Sequence, residues 1–535
     1  MTKLLFIAFW AVKQVKAVLF WVYLWQLKEY HRKRFIDHFR TQKGKSIFLN
    51  WVFATKILFL LLICFLPSFN LFYFVLPLFI FECLRTLLSF YKKRAKLPIF
   101  TLKARAILLL SFLSLYSLAI ILFFFSPNIP FFVLGLLVLD ILTPLFVSFF
   151  VFLFEPITLF FQHCLLRKAE RKRERFKNLI VVGITGSYGK TTTKEILAFV
   201  LSSQFRVLKT ERHINAEVGI AKTILEKLKP EHQIFVAEIG AYERGKITQV
   251  CKAIKPKIGI ITGINQQHMA TFGSQENIIY GEGFELIDNL PDNGTAVLNW
   301  DNEYIKSNLT SQNSKVKIIK YAVKNIKEAD VWAEKIKVEK EKISFWMATE
   351  KEKVFCEVNL IGAHNIYAVL AAGAVAEELG MSLSEIAEIL KNIKPDLGAM
   401  QLKKGINGID IIDASYSANP DGVISALDYL KIWERKKVIM MPCLIELGKV
   451  SKEVHKKIGK KIGKICDLAI ITTKDRFKEI QKGAKEAGMK KENILFLEDP
   501  RKIFEKIKNF CKEGDVVLLE GRVPKKLIEL LTKIE

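Results

Sequence analysis

The sequence predicts an N-terminal α-helical membrane domain followed by α/β domains built on mostly parallel sheets. Three observations carry this. Nearly all of the apolar excess, including most of the 41 Phe, lies before Arg167. A glycine-rich run, Gly183-Ile-Thr-Gly-Ser-Tyr-Gly-Lys-Thr-Thr-Thr193, stands between a strand-like stretch at 179–182 and a helical pattern at 194–201. Beyond it, strand-like runs at 233–237 and 258–262 alternate with helical spacing, as at 276–289, the rhythm of a helix-covered parallel sheet.

A bilayer span takes roughly 20 apolar residues. Residues 47–66, 71–90, 106–125 and 131–154 qualify, with turns at 67–70 and 126–130 that carry no Lys or Arg. The basic loops 26–46, 91–105 and 167–177 then share one side, which the excess of cationic residues marks as cytoplasmic. Everything after Arg167 falls on that side. Residues 4–25 are interrupted by Lys13 and Lys16, which fits either a fifth span or a Trp-rich helix lying in the interface. Glu82, Arg85 and Asp140 sit within or near the ends of spans. Such residues mark a binding site, pair inside the bundle, or snorkel to the interface. A localisation in the cytoplasmic membrane, multi-pass and in contact with membrane lipids, is expected.

The net charge of +27 resembles a nucleic-acid signal, but its distribution argues against that partner. Much of it flanks the apolar spans, and the rest is spread over lysine-rich helices. The eight cysteines form no C-x-x-C pair, so reduced, mostly buried thiols and no zinc site are expected. The length predicts several domains: a membrane domain at 1–166 with four to five helices, a basic linker at 167–177, and α/β domains at 178–395 and 396–535.

Strand, glycine turn, then helix aims backbone N–H groups and a helix N-terminus at phosphates. Lys190 adds a mobile positive charge for the outer phosphates, and the Thr191 hydroxyl a ligand for Mg²⁺. The motif is the short G-x-x-G-K-T-T, because Ile184 stands where the general pattern has its first glycine. Further on, Glu238 closes one strand and His268 follows another, at the sheet edge where open α/β folds bind ligands. Either is also compatible with an ordinary polar role.

These segments in this order resemble the Mur ligase family, ATP-dependent enzymes that join a carboxylate to an amine during cell-wall precursor synthesis. The resemblance rests on Thr185–Thr193, Asn215-Ala-Glu-Val-Gly219, Glu238-Ile-Gly-Ala241 with Gly245-Lys-Ile247, and His268 followed by Phe272-Gly-Ser274. It continues through Gly362-Ala-His-Asn365, Asp413-Ala-Ser-Tyr-Ser-Ala-Asn-Pro420 and Ile445-Glu-Leu-Gly448 with His455 after it. It covers about 178 to 535 and is strongest toward the branch that adds D-alanyl-D-alanine to a UDP-muramoyl tripeptide.

The resemblance implies a central P-loop ATPase-like domain and a C-terminal Rossmann-like domain that closes over the nucleotide. It implies that Gly186, Ser187, Gly189, Lys190, Thr191 and Thr192 bind ATP phosphates, with Lys190, Glu238 and His268 as catalytic residues. Thr191 and Glu238 would hold one Mg²⁺, and His268 would help with a second. His364, Asn365, Asp413, Tyr416 and Asn419 would contact adenine or ribose. The implied reaction passes through an acyl phosphate that an amine then attacks. A carboxylate acceptor of the muramoyl-peptide type and an amine donor such as D-Ala-D-Ala would be the partners.

The pattern breaks at four places. Gly283 occupies the position of the family's carbamylated lysine, and Glu282 beside it would point about 100° away on a regular helix. Ala399 replaces an arginine in Gly398-Ala-Met-Gln401, Ala368 replaces an asparagine, and Glu520-Gly-Arg522 replaces a Lys-Gly-Ser-Arg element. The family's UDP-binding domain has no room between Lys177 and the first strand, and apolar spans precede it instead. An acceptor that is lipid-linked, or otherwise held at the membrane, rather than a free UDP-sugar is therefore expected. A ligase for another polymer such as poly-γ-glutamate, or a non-catalytic ATP-binding scaffold, are the competing readings. A transport ATPase is not favoured, since no Ser-Gly-Gly-Gln signature follows.

Overall fold

The computed structural model describes residues 1–65, 71–212, 214–309, 316–397, 400–415 and 418–532. The chain divides into two compact units, 1–161 and 162–535. The turn expected at 67–70 lies outside the described residues.

The first unit is helical. Its long helices are α1 (Thr2–Leu27), α2 (Trp51–Phe65), α3 (Val75–Tyr91), α4 (Leu102–Phe125) and α5 (Ile129–Leu153). Five helical segments of the chain are long and apolar enough to cross a membrane, with α1 among them. Side-chain caps start three of these helices: Asn50 accepts from Phe53 N–H, Thr101 from Ala104 N–H and Asn128 from Phe131 N–H. Large aromatic and aliphatic side chains fill the interior, with Phe6, Trp10, Phe79 and Phe132 fully buried, while leucines and phenylalanines cover the outside.

The second unit begins within α6 (Glu155–Glu174). The segment expected as a basic linker is helical up to Glu174. Leu166 and Ala169 are buried against the central sheet's core, and Arg173 donates to the carbonyls of Ile254 (2.9 Å) and Leu179 (3.3 Å). The apolar residues between the charges, at helical spacing, make this stretch part of the domain. Five residues separate α6 from the first strand.

The central sheet holds nine strands: β1 (Ile180–Thr185), β2 (Val207–Lys209), β3 (Ile234–Glu238), β4 (Ile258–Ile261), β5 (Thr295–Asn299), β6 (Lys317–Ala322), β7 (Val331–Val338), β8 (Ile343–Ala348) and β9 (Lys353–Val358). Their spatial order is β2-β3-β1-β4-β5-β6-β7-β8-β9, parallel through β7 and antiparallel beyond it. The β-branched runs of β1, β3 and β4 are buried on both faces, as parallel strands between helix layers must be. On one face α7 (Lys190–Leu201) and the alanine-rich α8 (Asn365–Glu378) cover Val182, Ile184, Val236 and Ile260. Ala368 belongs to that apolar contact, so its side chain faces the core.

The C-terminal sheet comprises β10 (Gln401–Lys404), β11 (Asp410–Ala414), β12 (Lys437–Met441), β13 (Leu468–Ile471), β14 (Ile494–Phe496) and β15 (Val516–Glu520), in the order β10-β11-β15-β12-β13-β14. All pairs are parallel except β10 with β11. Helix α9 (Pro420–Tyr429) follows β11, and α10 (Ser451–Ile465) packs on α11 (Phe477–Glu486).

Glycines set that last contact. A Cβ on Gly459 would lie 2.2 Å from the Ile480 carbonyl oxygen, one on Gly463 2.3 Å from that of Ala484, and one on Gly483 2.1 Å from that of Lys456. The two backbones therefore touch through bare glycine. Gly483→Val is expected to destabilise the C-terminal domain by about 1–3 kcal/mol through overpacking. Limited proteolysis with rising urea measures this, and an unchanged cleavage midpoint would contradict the close packing.

Candidate active site

The parallel register places the carboxyl ends of β1, β3 and β4 side by side, with Ile184 opposite Glu238 and Thr185 opposite Ile261. The loop after β1 turns back at Gly186 (φ +130°) and Gly189 (φ +77°). A Cβ on Gly186 would stand 2.5 Å from Thr262 Oγ1 and 2.8 Å from the Gly263 carbonyl oxygen, so only glycine fits there. Ser187 N–H donates to that same carbonyl at 2.7 Å. Gly189 precedes α7, whose first turn carries Lys190, Thr191 and the buried Thr192. The Lys190 ammonium folds back over the loop and donates to the Gly186 carbonyl.

Glu238 is 2% exposed and lies across from that turn. The Thr191 hydroxyl stands 3.0 Å from each of its carboxylate oxygens. Asn215 Nδ2 donates to Oε1 at 3.2 Å, and Lys194 Nζ lies 3.4 Å from Oε2. Lys194 is fully buried and also meets Glu195 and the Glu211 carbonyl, both at 3.2 Å. The sequence places Lys194 merely inside a helical run, and nothing in its spacing shows that it would balance Glu238.

His268 caps a short helix after β4 and lies between two carboxylates. Its Nε2 is 3.6 Å from Glu282 Oε1, and its Nδ1 is 3.3 Å from Glu446 Oε2. Glu282 is buried and also accepts from the Ser187 hydroxyl. The expectation that Glu282 turns away is therefore corrected. Residues Tyr280–Phe284 form a π-helical turn, and the wider turn swings Glu282 toward His268 and the loop. Glycines on either side permit it: a Cβ on Gly281 would lie 2.5 Å from Phe272 Cε1, and one on Gly283 2.7 Å from Ile264 Cδ1. That Gly-Glu-Gly pattern was the available signal.

The C-terminal domain reaches the same edge. Asn265 N–H donates to the Ser187 hydroxyl oxygen (3.0 Å), and its Nδ2 donates to Asp421 (2.8 Å) and Asn419 (3.4 Å). Asn419 also caps α9, accepting from Gly422 N–H at 2.9 Å. Ala270 N–H donates to the Glu446 carbonyl at 3.0 Å, and Glu446 itself sits at φ +65°. The sequence assigns no role to Asn265 or Asp421, and gives Glu446 only as part of the Ile445–Gly448 element, because the pairs Asn265–Asp421 and His268–Glu446 join segments more than 150 residues apart.

The remaining candidates are more dispersed. Asp413 ends β11 and pairs with Lys403 at 2.5 Å. Asn365 is buried and donates to the Ile361 carbonyl at 2.8 Å, a fold-holding contact. His364 Nδ1 is buried without a hydrogen-bond partner among the described residues, and burial pushes the imidazole down to about 4. No described hydrogen bond joins His364 or Asn365 to the loop. Tyr416 and Ala399 lie outside the described residues.

Among the described residues no group of three His, Cys, Asp or Glu gathers as a self-sufficient metal cage. The oxygen pair Thr191–Glu238 instead suits a hard divalent cation that takes its other ligands from phosphates and water. His268 with Glu282 offers a second, mixed nitrogen–oxygen pair.

Residues 184–376 match the Mur ligase middle domain, and residues 399–523 match the Mur ligase glutamate ligase domain. Together they span more than half of the chain. The chain belongs to the Mur ligase family. Its family is one of ATP-dependent ligases. The UDP-N-acetylmuramoyl-tripeptide–D-alanyl-D-alanine ligase of Bacillus subtilis is 26% identical over 354 residues, which is 66% of this chain and 75% of that protein. The ligase of the same name from Escherichia coli is 30% identical over 280 residues, 52% of this chain and 61% of the relative. This chain thus spans about three-fifths to three-quarters of those relatives. MurF from Acinetobacter baumannii shares the fold, with a TM-score of 0.63 at 24% identity over 70% of this chain and 81% of that one.

Further acids are buried in this ligase chain, among them Glu195, Glu285, Asp410, Asp515 and Glu520. Glu520 ends β15 at 2% exposure, with no hydrogen-bond or ion-pair partner among the described residues. Burial pushes its carboxyl up to about 8. A raised folded-state value favours the protonated form, so the folded state loses stability as pH climbs between roughly 4.5 and 8. Glu520→Gln removes that loss. The variant and the parent are expected to melt alike at pH 5, with the variant increasingly the more stable toward pH 8. A constant difference across that range would show a carboxylate already charged.

Proposed function

We propose that the chain is an ATP-dependent carboxylate–amine ligase of cell-wall precursor synthesis. Its first unit spans the cytoplasmic membrane, with the second unit on the cytoplasmic side. It adds D-Ala-D-Ala or a similar amine to a muramoyl-peptide-type acceptor held at the membrane. The observation that carries the catalytic part is the Thr191 hydroxyl at 3.0 Å from both oxygens of Glu238, beside a glycine loop that opens a helix.

Loop N–H groups between Gly186 and Thr192 and the α7 N-terminus cradle the ATP phosphates. Lys190 unfolds from the Gly186 carbonyl onto the γ-phosphate. Thr191 and Glu238 hold Mg²⁺, and His268 with Glu282 hold a second ion. Bound there, the cations neutralise charge that develops on the transferred phosphoryl group. The acceptor carboxylate oxygen takes the γ-phosphoryl group as the bond to the β-phosphate breaks, so ADP leaves and an acyl phosphate forms. The neutral amine attacks its carbonyl carbon, a tetrahedral centre forms, and phosphate leaves. Most of this is positioning and charge neutralisation, which fits a site without an acyl-accepting nucleophile. Asn265, Asn419 and Asp421 tie the C-terminal domain to the loop when it closes over the nucleotide. His364, Asp413 and Tyr416 are proposed for the adenosine end.

Glu282 weighs against the scaffold reading, since it returns a carboxylate to the place that Gly283 leaves empty. The membrane-held acceptor is supported by the five residues between α6 and β1, which leave apolar helices where a nucleotide-sugar-binding domain would stand.

Lys190→Ala is expected to lower amine-dependent ADP release by roughly a hundredfold or more; unchanged release would misplace the site. Glu282→Gln is expected to raise the Mg²⁺ concentration needed for half-maximal rate, while Glu282→Asp retains part of the parent behaviour. An unchanged Mg²⁺ dependence would leave Glu282 a packing residue. Lipid-linked tripeptide should be used more efficiently than its UDP-linked form, and equal use of both would sink the membrane-held acceptor.

A further inference from the structure

The first unit buries a closed set of charges among apolar helices. Lys13 on α1 pairs with Asp140 on α5 and lies 3.5 Å from Glu82 on α3. Lys56 on α2 stands 2.7 Å from Glu82 and 2.8 Å from Asp140. Gln14 donates to Asp140 at 3.2 Å and receives the Thr143 hydroxyl at 3.1 Å. Two cations and two anions balance, so this set calls for no outside partner.

One helical turn further on, the balance fails. Phe6 meets Phe79 and Lys13 meets Glu82, so α1 and α3 run side by side in the same direction. Three residues beyond each member of the second pair stand Lys16 and Arg85, about 4.5 Å along the axes. They lie within reach of each other's charge. Among the described residues neither has an ion-pair or hydrogen-bond partner. Arg85 is exposed among Phe81, Leu84 and Leu88, the outward apolar stripe of α3, and Val12 and Val15 are exposed beside Lys16 on α1. In a bilayer that stripe faces acyl chains, where an unpaired cation is costly.

We propose that Lys16 and Arg85 form a site for the phosphate or diphosphate headgroup of an anionic lipid, seated between α1 and α3 from the cytoplasmic leaflet. This rests on the reading that the first unit spans the membrane with Leu27 and Tyr91 inside, and it gives the lipid-linked acceptor, or a structural anionic lipid, a place to bind. Arg85 then lies about 9 Å from the end of α3, within the inner half of a core roughly 30 Å thick, and Lys16, one turn beyond Lys13, shares that level on the longer α1, whose end extends further. Both side chains are long enough to lift their charges toward a headgroup, and the neutral set behind them holds the helices apart at a fixed spacing. Charge complementarity selects the occupant: two cations whose nearby carboxylate, Glu82, is already engaged by Lys13 and Lys56, on a surface that faces lipid. The carboxylates of Glu82 and Asp140 face this pair from behind but are already shared by Lys13 and Lys56.

The test uses the full chain in phosphatidylcholine nanodiscs. Prenyl diphosphate, phosphatidylglycerol or soluble pyrophosphate is added, and retained lipid is read by native mass spectrometry. The parent is expected to keep an anionic lipid that K16Q/R85Q binds at least tenfold more weakly. K92Q/K93Q, altered at the interface, should change retention less than twofold, and pyrophosphate should not displace the lipid. Equal retention by the parent and K16Q/R85Q would overturn the site and leave the two cations as snorkelling side chains. Displacement by pyrophosphate would overturn the lipid as its occupant. Release of the chain by alkaline carbonate would instead overturn the membrane reading, and the site with it.

Discussion

Parallel pairing of β1 with β3 on one side and β4 on the other is the constraint on which the site depends. It fixes Glu238 beside the end of β1 and brings the β4 loop, with Thr262, Gly263 and Asn265, against the glycine turn. Helix crossovers cover both faces, so the strands are buried and apolar while their carboxyl ends remain polar. The two carboxylates at that edge then find partners locally. Glu238 is surrounded by Thr191, Asn215 and Lys194, and Glu282 by Ser187 and His268. A buried carboxylate without such neighbours would bind a proton instead, as Glu520 does at the end of β15.

The domain order and the parallel sheets were legible in the sequence because they depend on local signals: β-branched runs, helical spacing and a glycine turn. The position of Glu238 was legible for the same reason, since it ends a strand. Glu282 was not, because its direction depends on a π-turn whose two glycines leave room for Ile264 and Phe272. Asn265 and Asp421 were not either, as their pairing depends on how the C-terminal domain meets the loop. The segment 167–174 read as a linker because its charge outweighs its few apolar residues, yet Leu166 and Ala169 suffice to seat it. Asn365 shows the converse: a motif residue whose side chain is engaged in holding its own loop.

Charge follows two regimes in this chain. In the first unit Lys13, Lys56, Glu82 and Asp140 neutralise one another out of contact with solvent. In the second unit many helical lysines lie at the surface and pair loosely, as Lys456 and Lys460 do with Glu486, while in the ligase site Lys194 is buried against Glu238.

The most direct measurement of the account is anomalous diffraction from crystals of the chain with ADP and Mn²⁺. The account predicts one ion between Thr191 and Glu238 and a second between His268 and Glu282. Ions elsewhere, or Glu238 and Glu282 both still turned to their present protein partners with nucleotide bound, would contradict it.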